Sequence, residues 1–119
     1  EVIIMMYHTA KLYSDMGKNV LIDGMLLENA EIKPHYQQLR EILSDNPLDL
    51  VEVYCPLEIC RQRNSIRGDR YERQSEEQYQ FMSRDIHYSV KVDTSKNTPE
   101  ECAEMIVGEL YCKSKQSVV

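Results

Sequence analysis

Between residues 2 and 16 the apolar side chains Val2, Met5, Met6, Leu12, Tyr13 and Met16 recur at helical spacing. Gly17 follows where a left-handed residue ends a helix, so the pattern predicts an amphipathic helix that stops there. Asn19-Val20-Leu21-Ile22-Asp23 is a short apolar run without alternation, as expected of a strand buried on both faces of a parallel sheet. A second helix is predicted from near Pro34, with Tyr36, Leu39, Ile42 and Leu43 on one face, closing in Ser44-Asp45-Asn46-Pro47. Leu50-Val51-Glu52-Val53-Tyr54 reads as the second strand, and Pro56 opens a third helix through Leu57, Ile59 and Cys60 toward Ile66.

Ser75-Glu76-Glu77-Gln78 has capping-box spacing and predicts a helix carrying Phe81, Met82 and Ile86. Ser89-Val90-Lys91-Val92-Asp93 alternates, the pattern of a third strand at an edge or with one wetter face. Thr98-Pro99-Glu100-Glu101 supplies an N-cap hydroxyl, a proline at the first helical position and a carboxylate at N3. A last helix should therefore run to about Cys112, with Cys102, Ala103, Ile106, Val107 and Leu110 inward. Strands alternating with helices give successive βαβ units, whose right-handed crossovers build a parallel sheet between helices. The predicted fold class is α/β. Ligands in such sheets bind beyond the carboxyl ends of the strands, here at Asp23-Gly24, at Cys55 and from Asp93 through Lys96.

A chain of 119 residues, 42% of them hydrophobic and with four glycines and four prolines, is sized and composed as a single globular domain. No apolar run approaches the roughly 18 residues of a membrane span. The net charge of −6 argues against nonspecific nucleic-acid binding. Cys55, Cys60, Cys102 and Cys112 form no Cys-x-x-Cys pair and stand apart from His8, His35 and His87, so zinc-ligand spacing is missing and no metal site is expected. All four read as reduced thiols, and the histidines as surface or capping residues. With no charged leader before an apolar segment, a cytoplasmic location is expected. Glu1 leads at once into an apolar stretch, which suggests an amino-terminal truncation.

Charge is distributed unevenly. Six of the seven arginines, Arg61, Arg63, Arg67, Arg70, Arg73 and Arg84, fall between residues 61 and 84, where there is no lysine. Between Arg67 and Gln80 the large partly apolar side chains are two tyrosines, so this stretch buries little and is expected to form a mobile lid at about 63–85. Arginine suits bidentate contact with phosphate oxygens, and Arg63 and Arg67 lie one helical turn apart. A solvated, salt-bridged surface remains the other reading of the same composition. Asp23 ends a predicted buried strand, a position suited to orienting a magnesium shell or an attacking hydroxyl, and equally to a turn or a cap. Glu28 is a weaker candidate. Gly17-Lys18 is not a phosphate loop, and no Gly-x-x-x-x-Gly-Lys-Ser/Thr occurs in the 119 residues. No histidine has a serine or cysteine partner at a hydrolase spacing.

Leu50-Val51-Glu52-Val53-Tyr54-Cys55, Arg63, Arg67-Gly68-Asp69-Arg70, Gln78 and Tyr88-x-Val90-x-Val92-Asp93-Thr94 together resemble the carboxyl-terminal part of the chloramphenicol phosphotransferase family of P-loop kinases. The resemblance implies a three-layer α/β/α domain, with residues 1–119 its later part and the first strands and Gly-rich loop lying before Glu1. It implies ATP and Mg2+ as cofactors and a small-molecule hydroxyl, such as that of a chloramphenicol-like compound, as acceptor. Arg67 and Arg70 would stabilise charge in transfer. Arg63 would clamp nucleotide phosphates, Thr94, Ser95 and Lys96 would contact the nucleotide, and Asp23 would face the acceptor or the metal-bound water. Gly24 stands where the family often has a second acidic residue and Ser83 where a histidine is expected, which leaves the acceptor open.

As a fragment the chain is expected not to transfer phosphate alone, and an uncovered parallel edge is expected to self-associate. Two other readings stand beside this one. The first is another small-molecule kinase, of nucleosides, sulfate-nucleotides or sugars, to which Pro56-Leu57-Glu58-x-Cys60 with Arg63 is also similar. The second is a non-catalytic α/β binding module whose arginine-rich flap grips an anionic partner.

Overall fold

In the computed structural model, residues 2–26, 34–67 and 86–118 are described, with side chains through residue 111. The chain divides into two units, Glu1–Leu48 with Gln80–Ile86 and Asp49–Tyr79 with His87–Val119.

The first unit is built on α1 (Val2–Asp15) and α2 (His35–Ile42), which pack together. Its buried apolar side chains are Tyr7 and Ala10 from α1 and Leu39 and Leu43 from α2 and the residue after it. Asn46 ties the turn after α2 to the same side of α1: Lys11 Nζ donates to Asn46 Oδ1 at 3.0 Å, and Asn46 Nδ2 donates to Ser14 Oγ at 3.0 Å and Asp15 Oδ1 at 2.8 Å. The inward face of α1 thus runs through Tyr7, Ala10 and Ser14. Of the face expected from spacing, Met6 is half-buried and the rest is exposed, with Val2 at 81%, Met5 at 66%, Leu12 at 60%, Tyr13 at 51% and Met16 at 64%. α1 carries apolar side chains on both sides, and periodicity does not say which side a neighbour covers.

The helix ends as predicted. Gly17 adopts φ +81°, its N–H donates to Ser14 O at 2.9 Å and the Lys18 N–H to Tyr13 O at 3.0 Å, the paired closure that satisfies last-turn carbonyls. The strand expected at residues 19–23 does not form. A strand exists through its ladder, and among the described residues none pairs with this segment; Val20 and Leu21 are exposed.

In the second unit, β1 (Val51–Tyr54) passes through α3 (Leu57–Arg67) and the undescribed residues to β2 (Val90–Asp93), followed by α4 (Pro99–Val118). The strands are parallel, in the register Val51↔Val90 through Tyr54↔Asp93. The expected α/β class is therefore observed, with a two-stranded parallel sheet and helices. Val90, Val92 and Cys102 form the buried core, against which Val51, Ile106 and Leu110 pack. Along β2 burial alternates as predicted: Val92 is 1% exposed, while Lys91 turns outward with its Nζ 4.2 Å from the centroid of the Tyr54 ring.

The capping box of α4 is formed in both directions: Glu101 N–H donates to Thr98 Oγ1 at 3.1 Å and Thr98 N–H to Glu101 Oε1 at 2.8 Å. α4 continues past Cys112 because no glycine or proline interrupts residues 112–118. Its contact stripe is narrow, with Cys102, Ile106 and Leu110 recurring every fourth residue, so Ala103 and Val107 face outward against expectation. Ile66 is likewise 84% exposed at the end of α3. The helix predicted from Ser75 and most of the lid lie outside the described residues.

Candidate functional site

The carboxyl ends of β1 and β2 meet at Tyr54 and Asp93, and the ladder carries one rung further, with Thr94 N–H donating to Tyr54 O at 2.9 Å. The next residues turn tightly because Asp93 gathers them. Its Oδ1 accepts from Ser95 N–H at 2.8 Å and from Ser95 Oγ at 2.5 Å, while its carbonyl accepts from the N–H groups of Lys96 and Asn97 at 3.3 and 3.2 Å and from Asn97 Nδ2 at 3.1 Å. This side-chain capture of the following amides is characteristic of aspartate at a turn. The Ser95 hydroxyl, then its amide and the charges of Lys96 and Lys91, hold the Asp93 carboxyl below the usual carboxylate range.

Arg63 spans from the second turn of α3 to this turn. Its Nη1 donates to Thr94 Oγ1 and its Nη2 to the Thr94 carbonyl, each at 2.8 Å. Thr94 Oγ1 also lies 3.3 Å from Tyr54 O, so the hydroxyl is held between the guanidinium and β1. A guanidinium carries five N–H donors, and the fork bound to Thr94 leaves others for an anion's oxygens. Ser95 and Lys96 are exposed on the same turn, and Arg67 is exposed one turn along α3. The remaining donors of Arg63 and the ammonium of Lys96 suit phosphate oxygens, the chemistry a nucleotide presents. Among the described residues no cluster of His, Cys, Asp and Glu could hold a metal ion. Mg2+ is commonly held by substrate phosphates, water and one or two carboxylates.

The structure thus brings Arg63 and Thr94 into direct contact, with Ser95 and Lys96 beside them. Asp23 belongs to the other unit, where it is exposed and lines a shallow concavity of about 260 Å³ with Met6, Thr9, Tyr13 and Leu21. Arg70 falls outside the described residues. Two buried polar residues escaped the sequence reading. Asn64, 2% exposed, points inward from α3 one turn after Cys60, a spacing the sequence displays. His35, expected at the surface or as a cap, is 9% exposed at the start of α2, where no side chain caps the helix. His8 and His87 are exposed as expected.

A parallel β–α–β crossover with basic side chains gathered at its strand ends defines an α/β protein suited to anionic ligands. The profile of the chloramphenicol phosphotransferase-like protein family matches residues 3–111, and the chain belongs to that family. No curated protein and no solved structure matches it. Among the described residues no helix is long and apolar enough to cross a membrane.

Proposed function

We propose that the chain serves ATP-dependent phosphoryl transfer to a hydroxyl of a small molecule, in the cytoplasm, as part of a P-loop kinase domain. The observation that carries this reading is the bidentate Arg63–Thr94 bracket at the carboxyl ends of parallel strands, in a chain of phosphotransferase-like family. Bound ATP supplies the transferable phosphoryl group and Mg2+ offsets its charge. Arg63 fixes the turn 94–96 and directs its remaining donors at phosphate. Thr94, Ser95 and Lys96 line the nucleotide, Arg67 and Arg70 offset charge that develops in transfer, and Asp23 orients the acceptor hydroxyl or a metal-bound water. Phosphoryl transfer needs positioning and charge stabilisation more than covalent chemistry, and arginines supply both.

The 119 residues contain no phosphate loop, so nucleotide binding and turnover are both measured. ADP release is measured with chloramphenicol, nucleosides and simple sugars as acceptors, alongside calorimetric titration with ATP. Acceptor-dependent ADP release with micromolar to millimolar ATP binding is expected. Absence of ATP binding, with retention of other polyanions, would favour the binding-module reading. Among the described residues β1 pairs with β2 alone, and a strand edge left unpaired supports self-association, seen as a mass above the monomer in light scattering.

A further inference from the structure

We propose that Cys55 and Cys60 form an oxidisable dithiol site at the start of α3, closed to an intramolecular disulfide by a low-molecular-weight disulfide. The Cys60 N–H donates to Pro56 O at 3.0 Å, the first helical bond of α3, which makes Pro56 the N-cap, Cys55 the residue before it and Cys60 the fourth helical residue. Side chains at those two positions pack against each other across a helix start. Here Cys60 Sγ already points back, 3.6 Å from the Cys55 carbonyl oxygen. A carbonyl oxygen lies about 2.4 Å from its own Cα, so Cys60 Sγ is within about 6 Å of Cys55 Cα, and rotation of both side chains with a small shift of the first turn is the movement that brings the sulfurs together. Both thiols are partly exposed, whereas Cys102 is buried in the core at 6%.

In the reaction, the thiolate of one cysteine attacks the small disulfide, forming a mixed disulfide and expelling one small thiolate. The second cysteine attacks the protein sulfur and expels the other. The two cysteine protons pass to the two released thiolates, so the protein loses two electrons and two protons and the small disulfide gains them. The new bond ties the end of β1 to the first turn of the helix that carries Arg63. In a reducing compartment such a bond is transient, which suits a sensor more than a staple. The site stands on its own geometry, independent of the kinase reading.

The full chain is incubated with a series of glutathione redox buffers, trapped, and digested with trypsin, which leaves both cysteines on the peptide 41–61. A loss of about 2 Da on that peptide reports the disulfide. The equilibrium constant for its formation is expected to be at least about tenfold larger in the folded chain than in 8 M urea, because folding holds the sulfurs together. Cys55→Ser and Cys60→Ser should each convert the loss into a single glutathione adduct on the peptide. An equal constant in urea and buffer, or glutathione adducts without the 2 Da loss in the native chain, would overturn the proposal.

Discussion

Arg63 holds Thr94 by two hydrogen bonds of 2.8 Å, one to the hydroxyl and one to the carbonyl, across 31 residues of sequence. The fork makes one side chain answerable both for the shape of the turn and for the positive charge above the strand ends. Arg63→Ala should therefore weaken ATP binding by about tenfold or more, the scale of a lost charge-assisted hydrogen bond. Arg63→Lys should restore little of it, because an ammonium on a flexible stem does not reach both Thr94 oxygens in one plane. Calorimetry on both variants checks this, and full recovery by lysine would show that charge alone matters.

Among the described residues three carboxylates are held below their usual range: Asp15 by Asn46 and Lys11, Asp93 by Ser95, and Glu101 by Thr98. A carboxylate with a depressed folded value stabilises the fold above its unfolded value, near pH 4, and that contribution is lost as pH falls through the lower folded value. Urea midpoints should thus be flat between neutrality and about pH 5 and decline below about pH 4. Asp93→Asn should shallow the decline, since the amide oxygen still accepts from Ser95 without titrating. A decline as steep as in the parent would assign the acid sensitivity elsewhere.

At Gly17 the cost of a side chain is conformational. Its φ is +81°, and a Cβ built there meets nothing within 4 Å. Gly17→Ala should lower stability by about 1 kcal/mol through backbone strain alone. Gly17→Asn should cost less, because asparagine tolerates the left-handed region better. Chemical denaturation separates the two; equal costs would point to a clash the open space around Gly17 does not contain.

The elements that local chemistry specifies were legible in the sequence. The α4 cap needs only Thr98 and Glu101 three residues apart, and β2 shows its buried face by alternating Val90 and Val92 with Lys91. The covered side of α1 was not legible, because apolar residues lie on both sides and the choice is made by Leu39, Leu43 and Asn46 from distant sequence. Residues 19–23 read as a strand from composition, yet strand formation depends on a partner that composition does not name. The site divides in the same way. Arginine-rich α3 and the turn after β2 stood out separately, while the bond joining Arg63 to Thr94 is a tertiary fact that no local pattern contains.

Arg67 offers the sharpest test of the lid reading. It is the last residue of α3, exposed, and one turn beyond Arg63 on the same helix. Surface substitutions usually change folding by about 0.5 kcal/mol or less, so a kinetic loss with an unchanged melting temperature would be chemical in origin. Under the proposed phosphoryl transfer Arg67→Ala should lower kcat by more than about tenfold, since a positioned arginine stabilises charge on the transferring group. The KM for ATP should change less than kcat, because that stabilisation is greater in the transition state than in the bound ground state. Steady-state kinetics with the melting temperature measured in parallel decide it. A variant with parental kcat would remove Arg67 from the chemistry and leave Arg63 and its turn as a nucleotide-binding element alone.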